Sequence, residues 1–229
     1  MVRILAVDTT TPSGSVAVVD DDRLLAETAV ESPSTHSARL LAAVDLLLKS
    51  LNLDIQEIEG YAVTPGPGSF TGIRIGLSTV KSFAFASGKP IAPVSSLLAL
   101  AWKAGESRPC LVAPMLDAKK GEIYAALFEF KNGRAYKKIP QDAYAPERFL
   151  ARLPAGREIV FIGNGIELCR PEIAARFKSK AVFSHRSPFI AFEVSRLGRD
   201  ILKKGKGVSA LDLEPLYFRK SQAEERHKR

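Results

Sequence analysis

The sequence predicts an α/β protein built as two successive lobes. Three observations carry that prediction. The chain opens with three short apolar runs separated by turn residues, and two helix-period segments follow them. After residue 105 the same strand–turn–strand–turn–strand order begins again. At 229 residues and 46% hydrophobic content, the chain can bury one large core or two of about 100 residues each.

Residues 2–8 form an apolar strand ending in Asp8, and Thr9-Thr10-Thr11-Pro12-Ser13-Gly14 is a turn. A second strand runs from Ser15 to Val19, Asp20-Asp21-Asp22 turns again, and a third strand spans Arg23 to Glu31. Strands joined by turns this short must pair antiparallel. Ser34 or Thr35 then caps a helix from His36 to Leu51. Its apolar face is narrow: Leu40, Val44, Leu47, Leu48 and Leu51 fall within roughly a third of the wheel. After Asp54 to Glu59 comes a fourth strand, Tyr61 to Thr64, followed by a glycine-rich turn and a second helix ending near Ser87. Three strands, a helix, a strand and a helix make an RNase H-like lobe, in which the helical crossover allows a parallel fourth strand.

The second helix carries more apolar surface than one contact needs. Gly72, Ile73, Gly76, Leu77, Val80, Phe83 and Ala84 share its apolar side, and Ile75 and Ala86 widen it. The arc is roughly 200°, where a single core contact takes a little over 100°. Leaving several such side chains in water is unfavourable. Either a partner protein or the other lobe covers the surplus, and the partner is the more economical expectation.

Ile91 to Val94 and a helix from Ser95 to Ala104 lead to Gly105-Glu106-Ser107-Arg108-Pro109, which places the lobes at 1–104 and 105–229. The second lobe is a degenerate repeat of the first: Leu111 to Leu116, Glu122 to Phe130 and Arg134 to Ile139 as strands, with Asp117 where Asp8 stood. A short helix at Pro146 to Leu153, a strand at Ile159 to Ile162, and helices near Ile166 to Phe177 and Ile190 to Lys204 complete it.

Charge is distributed unevenly. Residues 1–100 hold 7 Lys+Arg against 10 Asp+Glu, whereas residues 101–229 hold 26 against 15. A basic second half points either to a polyanion or acidic partner or to a lysine-rich solvated surface. The tail from Arg219 to Arg229 adds +3 and is expected to fray. No apolar run reaches about 18 residues, so no membrane span is expected. Cys110 and Cys169 have no CxxC partner, as for buried thiols in a reducing cytosol.

The candidate chemistry is sparse. His36, His185 and His227 are the only histidines, and none lies four residues from another, so no helix presents an imidazole pair to a metal. The stretch Pro65-Gly66-Pro67-Gly68-Ser69-Phe70-Thr71-Gly72-Ile73-Arg74-Ile75-Gly76 sits at a strand-to-helix turn, where glycines admit either a phosphate or another backbone. No Lys-Ser/Thr follows it, so the groups that hold a terminal phosphate and Mg²⁺ are missing, and packing is favoured.

Two lobes that each place an Asp after their first strand resemble the actin and sugar-kinase superfamily, in which ATP binds. There such carboxylates manage metal and phosphate, which makes Asp8, Thr9 and Asp117 vestigial nucleotide-site candidates. Asp8-Thr9-Thr10-Thr11 lacks the glycine of that loop, and Lys119-Lys120 replaces small residues in the second. Gly163-Asn164-Gly165 is a turn that an adenosine could face.

More specifically, Ile4-Leu5-Ala6-Val7-Asp8-Thr9-Thr10, the glycine stretch, Asp117-Ala118-Lys119-Lys120-Gly121-Glu122-Ile123-Tyr124 and Pro215-Leu216-Tyr217-Phe218-Arg219 together resemble the bacterial TsaB (YeaZ) family. The resemblance implies a cytoplasmic, non-catalytic subunit, without cofactor or metal, for threonylcarbamoyl transfer to the tRNA adenosine 3′ of the anticodon. It implies pairing with the catalytic paralogue TsaD, cooperation with the ATPase TsaE, and a homodimer when alone. The implied pairing surface is made by the two helices of the first lobe, hence Leu40, Val44, Leu47, Leu48, Gly72, Ile73, Gly76, Leu77, Val80, Phe83 and Ala84 as interface candidates. Relatives commonly have Asp-Ala-Arg where Lys119 stands here, which keeps the charge and loses the planar fork. Two further expectations remain beside this one: an ATPase or phosphotransferase acting through Asp8 and Asp117, and a direct tRNA contact by the basic second half.

Overall fold

The computed structural model describes residues 2–31, 36–105 and 109–218. The expected cap at Ser34 or Thr35, most of the expected boundary turn, and the tail with Arg219 and His227 lie outside the described residues. The chain divides into two compact units, one of residues 1–99 with 189–216, the other of residues 100–188 with 217–229.

The first unit holds a five-stranded sheet. Its strands are β1 (Arg3–Asp8), β2 (Ser13–Asp20), β3 (Arg23–Glu31), β4 (Gly60–Val63) and β5 (Ile91–Pro93). They lie in the order β3-β2-β1-β4-β5. The first three pair antiparallel, and β4 and β5 add in parallel, as the crossover helix requires. Helices α1 (His36–Ser50) and α2 (Phe70–Ser87) cover one face. There Leu5, Val7, Val16 and Val18 meet Leu40, Val44, Leu47, Leu48, Ile73, Leu77, Val80 and Ala84 in a single core. Ser69 caps α2 by accepting the Gly72 N–H at 3.3 Å, and Gly88 ends it in the left-handed conformation at φ 68°.

The boundary between the units falls inside the next helix, α3 (Ser96–Gly105), after Ala99. The second unit contains β6 (Cys110–Lys119), β7 (Glu122–Lys131), β8 (Arg134–Tyr144), α4 (Pro146–Arg152), β9 (Ile159–Ile162), α5 (Arg170–Phe177) and β10 (Ala181–Phe183), and α6 (Ala191–Lys203) follows.

Helix α6 lies on the second face of the first unit's sheet. Its Gly198 sits where an added Cβ would come within 2.5 Å of the Ala62 Cβ. Ala62 alternates with Tyr61 and Val63, which point into the α1–α2 core, so α6 is on the opposite side. The buried Ser15 Oγ of β2 accepts the Ile190 and Ala191 N–H groups at 3.2 and 3.0 Å, and Glu27 of β3 accepts that of Phe192 at 3.1 Å. Donors that a helix start leaves unpaired are thereby satisfied. Arg199 pairs with Asp22, and the Lys203 Nζ lies 3.0 Å from Asp21. This corrects the expected boundaries of 1–104 and 105–229: residues 189–216 belong with the first unit.

The second unit repeats the topology in the order β10-β9-β6-β7-β8. Its first three strands are antiparallel, and β9 and β10 add in parallel. Leu111, Ala113, Met115, Ile123, Ala125 and Leu127 pack against Phe149, Leu150, Ile173 and Phe177 of α4 and α5. Its sheet is complete, so the expected degeneracy is confined to the helices, which are only 7 and 8 residues long. The expected helix from Ile166 to Phe177 is broken at Cys169 into a 3₁₀ turn and α5. Strand β10 was not foreseen. Two RNase H-like sheets of matching order establish the fold expected of the actin and sugar-kinase superfamily.

Candidate functional site

The loop after β1 and the glycine stretch before α2 form one structure. Asp8 is 1% exposed. Its Oδ1 accepts the Thr10 N–H at 3.1 Å, the Thr10 hydroxyl at 2.6 Å and the Thr64 hydroxyl at 2.6 Å, which ties β1 to the end of β4. Its Oδ2 has no partner among the described residues. Burial pushes the carboxyl above its ordinary range, against the pull of the hydrogen bonds from Thr10 and Thr64.

The glycines serve this loop. The Thr9 hydroxyl donates to the Gly72 carbonyl at 2.7 Å, and the Ser69 N–H to the Thr10 carbonyl at 2.7 Å. A Cβ on Gly68 would collide with Thr10, and one on Gly72 or Gly76 with Thr9. On the other side, the Leu216 N–H donates to the Pro65 carbonyl at 2.8 Å, and the Ser96 hydroxyl to the Pro67 carbonyl at 2.5 Å. Packing is therefore the use of the glycines, but the backbone they admit is this chain's own loop. The expectation that Gly72 and Gly76 open a surface to another protein is corrected accordingly.

The same correction extends to the other interface candidates. Leu40, Val44, Leu47, Leu48, Ile73, Leu77, Val80 and Ala84 are buried in the first unit's core, and Phe83 is half-buried, its ring stacked 6.0 Å from that of Tyr61. Helix α2 is so apolar because three neighbours cover it, the sheet, α1 and the Thr9–Thr10 loop, and the core it shares extends to the segment after α6. That segment buries Leu213 in the same core and packs Val208 and Ala210 against it. The large apolar side chains left outside on these helices are Leu41 (50% exposed), Leu46 (66%) and Phe85 (78%). They do not share the apolar stripe, so helical periodicity does not single them out.

Asp117 holds the equivalent position in the second unit, in a different state. Its carboxylate accepts the Lys119 N–H and Nζ, each at 2.7 Å, and its own N–H donates to the Asn164 Oδ1 at 3.0 Å. Partial burial raises its pKa, but the Lys119 hydrogen bonds and charge prevail and leave it below the ordinary range. Gly163 and Gly165 press against Met115 and Leu116, so the GxG turn is also a packing device. A magnesium-bound nucleotide fits these residues poorly: Asp8 is buried with one oxygen saturated, and Lys119 occupies both oxygens of Asp117. Among the described residues no group of three or more His, Cys, Asp or Glu is arranged to hold a metal, and no helix is long and apolar enough to cross a membrane.

Residues 30–213 match the family model described as "TsaD: tRNA N6-adenosine threonylcarbamoyltransferase". The tRNA threonylcarbamoyladenosine biosynthesis protein TsaB of Bacillus subtilis is 33% identical over 166 residues, 72% of each chain. That of Escherichia coli is 29% identical over 228 residues, 96% of each. The solved structure of YeaZ from Pseudomonas aeruginosa superposes with a TM-score of 0.79 at 27% identity, over 95% of this chain and 100% of that one. On these similarities and the doubled sheet topology, the chain belongs to the TsaB (YeaZ) family.

Proposed function

We propose that the protein is a non-catalytic, cytoplasmic subunit of tRNA threonylcarbamoyladenosine synthesis. In this role it pairs through the outer side of α1 and α2 with the catalytic paralogue TsaD, works with the ATPase TsaE, and forms a homodimer when alone. The names of its relatives support the tRNA modification. One observation supports a scaffold over an enzyme: Leu41, Leu46 and Phe85 remain exposed on α1 and α2, while both lobe carboxylates are committed to internal contacts. Apolar side chains of this size contribute about 1.5–3 kcal/mol each when buried, enough to make three of them a substantial anchor.

Co-purification with the paralogue tests the pairing. Leu46→Asp combined with Phe85→Asp is expected to leave the fold intact by circular dichroism and to abolish the complex. Leu77→Asp instead places a charge at a site 5% exposed and is expected to unfold the first unit. Undiminished pairing in the double variant refutes the proposed face. The ATPase or phosphotransferase alternative predicts Mg-ATP binding that is lost in Asp8→Ala; calorimetry without such binding closes it.

A further inference from the structure

The basic character of the chain is concentrated in the second unit. Its described residues hold 15 Lys+Arg against 8 Asp+Glu, a balance of +7, while those of the first unit hold 12 against 14, a balance of −2. The register of the second sheet shows where these cations go. Ala181, Ile159, Leu111, Glu129 and Tyr136 stand side by side across all five strands. One end of the sheet lies just beyond this row, where the parallel strands β6, β9 and β10 begin and the β7–β8 hairpin turns.

Connections from separate parts of the chain deliver cations to that end. Lys131 and Arg134 flank the hairpin turn, and Lys137 is one residue inside the row on β8. Arg176 is in the last turn of α5, and Lys178 and Lys180 lie in the 3₁₀ turn leading into β10. All six are exposed, and among the described residues none has a carboxylate partner. Glu129 is already shared by Lys138 and Arg157, which are therefore not counted. Tyr136, 46% exposed, stands in the same row.

We propose that this end of the second sheet is an RNA-binding rim that contacts the phosphate backbone of tRNA. The inference rests on the tRNA role proposed above and adds to it the surface that holds the substrate. Four inter-strand steps of about 4.8 Å span about 19 Å. A strand of B-form DNA places roughly one phosphate per 3.4 Å of axis, and the A-form RNA duplex is more compressed, so at least about five or six phosphates face that span. Six cations without acidic partners match that number, and Tyr136 gives an unpaired base a surface on which to stack. An acidic protein face would meet the same charges but gives no reason for the exposed aromatic side chain among them. Lys203, Lys204 and Lys206, also in the basic second half of the sequence, are not part of the rim: they belong to the first unit, and Lys203 is paired with Asp21.

Fluorescence anisotropy of labelled tRNA with the full chain, between about 50 and 200 mM salt, tests the rim. Each phosphate contact contributes about 0.7–0.9 to the slope of log affinity against log salt. The variant Lys131→Gln, Arg134→Gln, Lys178→Gln, Lys180→Gln is expected to lose about 3 from that slope and at least tenfold in affinity at about 100 mM salt. Lys204→Gln with Lys206→Gln, on the first unit, is expected to bind like wild type. The rim is refuted if the wild-type chain shows no salt-dependent tRNA binding, if the rim variant binds like wild type, or if polyglutamate of equal charge competes as well as tRNA. Threonylcarbamoyladenosine content in TsaB-depleted cells separates this from the role itself. If the chain restores modification and the rim variant binds tRNA normally, only the rim fails. If it restores none although rim-dependent binding is observed, only the role fails.

Discussion

Replacing Asp8 by Asn and by Ala separates the hydrogen-bonding use of this side chain from its charge. In Asp8→Ala the Thr10 N–H and the Thr10 and Thr64 hydroxyls all lose the oxygen they share. An orphaned buried donor costs about 1–3 kcal/mol, so a loss of about 3 kcal/mol is expected even when each cost is at its lower end. Asp8→Asn keeps an oxygen for all three donors and replaces the unpartnered Oδ2 with an amide nitrogen. It also removes the charge that burial disfavours. Because the folded-state pKa is raised, the stability linked to this carboxyl is fully present below its unfolded pKa and is lost as pH rises through the folded value. The stability of Asp8→Asn relative to wild type should therefore increase from about pH 4 towards pH 8. Urea denaturation at several pH values measures both effects. An Asn variant as unstable as the Ala variant, or one whose stability relative to wild type falls as pH rises, would refute the argument; the falling trend would show that the hydrogen bonds favour the ionised carboxylate more than burial opposes it.

Other substitutions probe the packing around this loop and the state of the thiols. Gly72→Ala places a methyl against the Thr9 carbonyl and should cost about 1–3 kcal/mol; an unchanged urea midpoint would show that the loop yields freely. Burial, with Glu172 and Glu147 nearby, pushes the Cys169 thiol up to about 11. It should resist alkylation at about pH 8 until the protein unfolds, and modification in the folded state at the rate of a free thiol would contradict that.

The two sheets were legible because their signals are local. Alternating apolar runs and turns such as Asp20-Asp21-Asp22 and Lys131-Asn132-Gly133 specify antiparallel pairing with little help from distant residues. The placement of α6 was not legible in that way, because order along the chain suggested that residues after 105 stay together. A signal for it existed in β1, where Ile4, Leu5, Ala6 and Val7 are all 0% exposed. A strand apolar at every position needs cover on both faces, and α1 and α2 supply only one. The three-residue β10 carries too short a pattern to distinguish from a loop.

The same limit explains why most of the interface candidates turn out to be core residues. Hydrophobic periodicity identifies the side of a helix that is buried, without saying whether the cover comes from the same chain or another. In α2 the surplus was real, but the sheet, α1 and the Thr9–Thr10 loop of the same chain account for it. The side chains proposed to dock lie off the stripe: Phe85 is 78% exposed although α2 already packs its stripe within this chain. The cations of the second unit obey a related rule. Lys131, Arg134, Lys178 and Lys180 lie far apart in sequence, and only the sheet register brings their positions to one end. Function that depends on such convergence is set by topology, so it becomes visible only when the strand order is known.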